Sequence, residues 1–180
     1  ADRSPVDCLN YRSFRTQCMS AIALDRIDSK ILQVLSREGR ISWRDLAERV
    51  GLSLTPTLRR IRRLEESGLI AGYGARFDED RLGLGITMFI SVTLDRQTEE
   101  TLKVFERRIA DVPEVMSCHL MTGEADYLLV ITASTMADYE ALTGRLFGGD
   151  DNVRRFRTSV ALGCLKVGLQ VPLDRCGPVA

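Results

Sequence analysis

Apolar spacing changes once along this chain, and that change restricts the fold more than any other feature. Between Ile27 and Leu64 apolar residues recur at intervals of three and four, the period of a helix face. From Ile86 to Leu94 they alternate: Ile86, Met88, Ile90, Val92 and Leu94 against Thr87, Phe89, Ser91 and Thr93, the period of a strand. A helical part followed by a part that opens on a strand predicts an α+β chain of two domains. The 180 residues, 44% of them hydrophobic, suffice for two compact cores.

The helical part resolves into three short helices. The first spans Asp25–Arg37, with Ile27, Ile31, Leu32 and Leu35 on one face and Gly39 as its stop. Ser42-Trp43-Arg44-Asp45 has the form of a capping box, and Leu46, Ala47 and Val50 face inward from the helix it starts. Gly51 ends that helix, because glycine takes a positive φ without steric cost. Ser53 is placed to cap the third helix, Pro56 falls in its first turn, and Leu54, Leu58, Ile61 and Leu64 form its inner stripe before Gly68. Helices this short bury little alone and must pack together.

The second part reads strand, helix, strand, strand, helix, strand. Thr98 caps a helix with Leu102, Phe105, Ile109 and Val112 inward, and Pro113 stops it. Strands follow at Val115–Met121 and Asp126–Ala133 around the turn Thr122-Gly123-Glu124-Ala125. A helix over Thr135–Phe147 carries Tyr139, Leu142 and Leu146 on one face, and a last strand spans Phe156–Leu162. This order is the split βαβ, or ferredoxin-like, arrangement. It places both helices on one side of the sheet and leaves Thr87, Phe89, Ser91 and Thr93 on the other, a half-apolar face suited to pairing with a second copy. The domains expected are an extension over 1–22, poorly ordered through Cys18 with Met19 resembling a natural start; helix-turn-helix over 23–70; a linker over 71–85; the ferredoxin-like domain over 86–170; and a tail over 171–180.

The third helix carries Arg59, Arg60, Arg62 and Arg63, four arginines in five positions with no acid among them, on a chain whose formal net charge is zero. A solvated cationic face is the bland explanation. The short Gly51-Leu52-Ser53 turn and the three-helix pattern favour a helix-turn-helix whose third helix enters a DNA major groove. Position then assigns roles. Ser53, Thr55 and Thr57 lie near the N-terminus, where base edges or nearby phosphates are reached, and Arg59 can read guanine. Arg60, Arg62 and Arg63 neutralise phosphates, although Arg62 can also pair with Glu65 or Glu66. Trp43 and Arg44 sit where the flanking backbone passes. In the second domain, Met121-Thr122-Gly123-Glu124-Ala125-Asp126-Tyr127 is the ligand candidate. Gly123 lets backbone N–H groups approach an anion, and Glu124 or Asp126 can pair with an ammonium; a plain hairpin turn is the alternative.

Together, "LDRIDSKIL", "RVGLSLTPTLRRIRRLEESGLIAGYGA" and "CHLMTGEADYLL" resemble the Lrp/AsnC (leucine-responsive, or feast/famine) transcription regulators over about Leu24–Lys166. The resemblance implies a DNA-binding regulator that answers to an amino acid or related metabolite. It also implies a homodimer that assembles to higher oligomers, often octamers. The effector-pocket positions it implies are Leu120, Thr122, Gly123, Asp126, Met136, Ser159, Val160 and Ala161. Ser159-Val160-Ala161 stands where the leucine-responsive branch has a tyrosine and two valines, which implies a roomier pocket of different polarity.

Other classes find less support. His119, the sole histidine, adjoins Cys118 on a strand, so the two side chains point to opposite faces and form no dyad. There is no phosphate-binding glycine loop, no metal-ligand set and no need for a cofactor. The five cysteines lack C-x-x-C spacing, which argues against zinc or a disulfide framework and for a reduced, cytoplasmic setting. No apolar run reaches bilayer-spanning length. The remaining rival is a small-molecule-sensing, oligomerising module that does not bind DNA.

Overall fold

The computed structural model describes residues 23–166; the expected extension and tail, and Cys8, Cys18 and Cys176, lie outside them. The described residues divide into two compact units between Arg76 and Phe77. Among them no helix is long and apolar enough to cross a membrane.

The first unit is built from α1 (Arg26–Arg37), α2 (Trp43–Val50) and α3 (Leu54–Glu66). Asp25 caps α1: its carboxylate accepts the Ile27 and Asp28 N–H groups at 2.8 Å each, and Asp28 reaches back to the Asp25 N–H at 3.2 Å. At α2 the Ser42 hydroxyl accepts the Asp45 N–H at 3.1 Å and donates to the Asp45 carboxylate at 2.7 Å, so the box closes side chain to side chain. Gly51 ends α2 at φ 80°. Ile31, Leu46, Val50, Ile61 and Leu64 form the core, with Leu24, Ile27, Leu35 and Ile70 packed around it.

Two expectations for α3 fail. Ser53 holds the cap backbone geometry, but its side chain makes no capping bond. Leu54 is 41% exposed and Leu58 lines the outward groove instead of the core; Thr57, fully buried, completes the inner stripe. Positions 57, 61 and 64 keep the helical spacing, and a threonine tolerates burial there because its hydroxyl donates to the Ser53 carbonyl at 3.0 Å.

The second unit contains β1 (Ile86–Leu94), α4 (Glu99–Ala110), β2 (Val115–Leu120), β3 (Tyr127–Ala133), α5 (Met136–Phe147) and β4 (Val153–Val160). The sheet order is β2-β3-β1-β4, every neighbour antiparallel. The last strand starts at Val153 rather than Phe156, because the run Val153–Arg155 pairs with Thr93 and Leu94 despite its charge. One sheet face packs Met88, Ile90, Val92, Leu129 and Ile131 against Leu102, Phe105 and Ile109 of α4 and Leu142, Leu146 and Phe147 of α5. Phe105 lies 4.7 Å from Tyr127, and Phe147 stacks on Phe156 at the same separation. On the other face, cross-strand partners align Ser117, Val130, Phe89 and Ser159 in one row and His119, Leu128, Ser91 and Arg157 in the next. That face is half-apolar: Phe89, Leu128 and Val130 lie in its middle together with Ser91, and its rims are polar.

Candidate nucleic-acid interface

The turn between α2 and α3 is held by backbone bonds alone: the Gly51 N–H donates to Glu48 at 3.0 Å and the Leu52 N–H to Ala47 at 2.9 Å. It turns α3 so that Ile61 and Leu64 point into the core. Thr55, Arg59, Arg62 and Glu66 then fall on the opposite side, at spacings of four, three and four. An open groove of about 840 Å³ is lined there by Asp25, Thr55, Leu58, Arg59, Arg60, Arg62, Arg63 and Glu66. Arg59 and Arg62 are exposed, and neither is ion-paired among the described residues, so the expected Arg62 pair with Glu65 or Glu66 does not form. Glu65 instead accepts from the Tyr73 hydroxyl at 2.9 Å.

The four arginines are therefore not equivalent: Arg60 and Arg63, both expected to neutralise phosphate, carry ion pairs, and Arg59 and Arg62 do not. Arg60 donates to Asp25 at 2.5 Å and to Asp28 at 2.8 Å, and Arg63 donates to the other oxygen of Asp28. Asp28 is fully buried. A backbone bond from Asp28, then the Arg60 guanidinium, holds the Asp25 carboxyl below its ordinary pKa, and the same two acids raise that of Arg60. Thr57 is a correction: buried and bonded to its own helix, it does not reach a base edge. Ser53, Thr55 and Arg44 are exposed, and Trp43, 39% exposed, sits edge-on to Tyr73 with centroids 6.4 Å apart. Asp25, Asp28 and Tyr73 are the residues that reading the sequence missed. A signal for Asp28 existed: positions 28, 31 and 35 are one inward stripe of α1, and an acid inside such a stripe needs a cation brought to it.

The residues implied for an effector separate into two groups. Leu120, Thr122, Gly123, Glu124 and Asp126 surround the β2–β3 turn beside the end of β1, where the Asp126 N–H bonds Val92 and the Thr93 hydroxyl bonds the Glu124 carbonyl. Met136 follows β3, and Ser159-Val160-Ala161 lie beside Thr87–Phe89 at the start of β1. Strand rise places the two groups about 10–20 Å apart along β1 within one chain. Gly123 has φ 122°, a conformation side chains rarely adopt. The Asp126 carboxylate is occupied: it accepts the Leu94 N–H at 2.7 Å and the Gln97 amide at 2.8 Å. The Glu124 side chain is exposed and makes no ion pair among the described residues.

Both halves match known families. Residues 24–71 match the Winged helix-turn-helix DNA-binding family, and residues 87–170 match the Lrp/AsnC ligand binding domain. The chain is 49% identical over 150 residues to the Bkd operon transcriptional regulator of Pseudomonas aeruginosa, covering 83% of this chain and 98% of that one. This chain belongs to the Lrp/AsnC family of transcriptional regulators. The leucine-responsive regulatory protein of Rhizobium meliloti is 38% identical over 152 residues, covering 84% and 97% of the two chains. Among solved structures, a transcriptional regulator from Neisseria meningitidis in complex with L-Met superposes with TM-score 0.78 at 34% identity, over 84% of this chain and 97% of that one. The family members are regulators rather than enzymes, and the α+β, helix-turn-helix plus ferredoxin-like architecture is theirs.

Proposed function

We propose that this Lrp/AsnC regulator reads double-stranded DNA with the outward side of α3, and that an amino acid or related small metabolite modulates its assembly and binding. The observation that carries the first part is the exposed series Thr55, Arg59 and Arg62, set opposite the buried Ile61 and Leu64. Thr55 and Arg59, nearest the N-terminus, reach base edges; Arg62 and, from α2, Trp43 and Arg44 reach the backbone. Arg59→Ala should relax discrimination between the operator and a scrambled duplex, at about 1–3 kcal/mol if the guanidinium reads guanine. Equal loss on both duplexes, measured by fluorescence anisotropy, would remove the base-reading role.

The second part rests on the separation of the two effector groups. They lie on opposite sides of β1 and apart along it, so a single pocket using both calls for two copies of the chain. The half-apolar open sheet face, with Phe89, Leu128 and Val130, supplies a first surface for a homodimer. Contacts between dimers, in an assembly up to an octamer, then complete the pocket. Binding of L-methionine by the Neisseria neighbour makes an amino acid the first ligand class to test. Because Asp126 is already engaged, Glu124 is the proposed ammonium partner at the turn. Glu124→Gln should weaken amino-acid binding in calorimetry at least about tenfold, the scale of one charge-assisted bond, without altering DNA affinity in ligand-free buffer. Undiminished binding excludes that role.

A further inference from the structure

We propose that Asp28, with Asp25, is a positioning clamp that withdraws Arg60 and Arg63 from the DNA-facing set and fixes the rotation of α3, leaving Arg59 and Arg62 as its phosphate- and base-facing cations. The inference rests on the DNA-reading function above and specifies which charges perform it.

Asp28 is fully buried in the first turn of α1, where a carboxylate is tolerated only if its lone pairs are taken. They are: one oxygen accepts Arg60 at 2.8 Å, and the other accepts Arg63 and, at 3.2 Å, the Asp25 N–H. Arg60 and Arg63 are three residues apart and so share one side of α3. Both ends of that turn are thus tied to a single point on α1, which sets the angle of α3 about its own axis. Arg59 and Arg62 each precede a clamped arginine by one residue, about 100° around the helix, and are carried outward. Asp25, half exposed on the groove rim, adds a second grip on Arg60 at 2.5 Å. A phosphate approaching the groove meets two guanidiniums whose donors are directed at carboxylates and two whose donors are not. Four arginines in five positions would suggest four counterions released per helix; the clamp takes Arg60 and Arg63 out of that number.

The test is the salt dependence of binding by the full chain to a mixed-sequence DNA duplex, followed from about 50 to about 200 mM salt. For every phosphate contact removed from a helix, the slope of log affinity against log salt falls by about 0.9. Arg62→Ala should lower the slope by that amount for each bound helix, and Arg59→Ala, which removes a base contact, should lower it less. Arg60→Ala and Arg63→Ala should lower affinity by the same factor at every salt concentration and leave the slope unchanged. A slope decrease of about 0.9 for Arg63→Ala overturns the clamp. Arg63→Lys keeps the test decisive should the alanine variants fail to fold. Lysine retains the charge a phosphate would need but cannot present a planar fork to Asp28. Affinity lowered at unchanged slope supports the clamp, and wild-type affinity overturns it. A wild-type protein with no salt-dependent binding would refute the DNA-reading function itself, a result distinct from either.

Discussion

The helical unit and the sheet unit are stabilised in different proportions. The sheet unit has a core of fourteen buried residues, from Met88 to Phe147, and its polar contacts sit mostly at the edges of that core. The helical unit has five, and the fully buried Asp28 carboxylate stands beside them, held by two arginines from another helix. Apolar burial is non-directional, so a large core tolerates small rotations of its helices. A charge pair is directional and does not. A domain that must present one side of a short helix to a duplex gains more from the second kind of contact than its small core alone supplies.

The largest expected effect tests the sheet side of that contrast. Phe105→Ala should destabilise the second unit by about 3–5 kcal/mol, as large-to-small changes in well-packed cores do. Urea unfolding followed by circular dichroism measures it, and a loss under about 1 kcal/mol would mean the site collapses around the void. Next, the helical unit should be sensitive to polar rather than apolar loss. Removing both Arg60 and Arg63 leaves Asp28 buried and unpaired, at about 3–5 kcal/mol. Asp28→Asn, which lets both arginines turn to solvent, should cost less. The reverse order would mean that Asp28 acts through packing rather than charge. A smaller loss, about 1 kcal/mol, is expected for Ser42→Ala at the α2 cap.

The smallest effect is acid sensitivity. Asp25 in the helical unit and Glu114 in the sheet unit both titrate below their ordinary values. For Asp25 the Asp28 N–H and then Arg60 are the cause; for Glu114 its own backbone N–H and then Arg145. A lowered folded-state value means stability that is complete above the ordinary carboxylate range and is lost as pH falls through the folded value. Unfolding midpoints should hold steady from neutral pH to that range and then decline, and Asp25→Asn should shrink the decline in the helical unit alone. An acid limb unaltered by Asp25→Asn would place the titrating group elsewhere.

Much of this was legible in the linear chain, for a local reason. Apolar period distinguishes Ile31 or Ile61 on a helix from Ile90 on a strand. Gly51 and Ser42 mark boundaries because positive φ and free N–H groups are problems solved within a few residues. The arginine stripe and its helix-turn-helix setting follow from the same local spacing, whereas the family was implied by the resemblance of whole motifs in both halves. What the chain alone left undecided depends on which surfaces meet. Helical phase shows that Arg59, Arg60, Arg62 and Arg63 avoid the core, but docking of α1 decides that Asp28 takes two of them. Likewise, Asp126 and Ser159 belong to one implied pocket, yet antiparallel pairing sets them on opposite sides of β1, three residues apart in its register. Periodicity assigns a residue to a side of its own element, while partners and distances are set only when elements pack, because charge pairing and sheet register are long-range interactions.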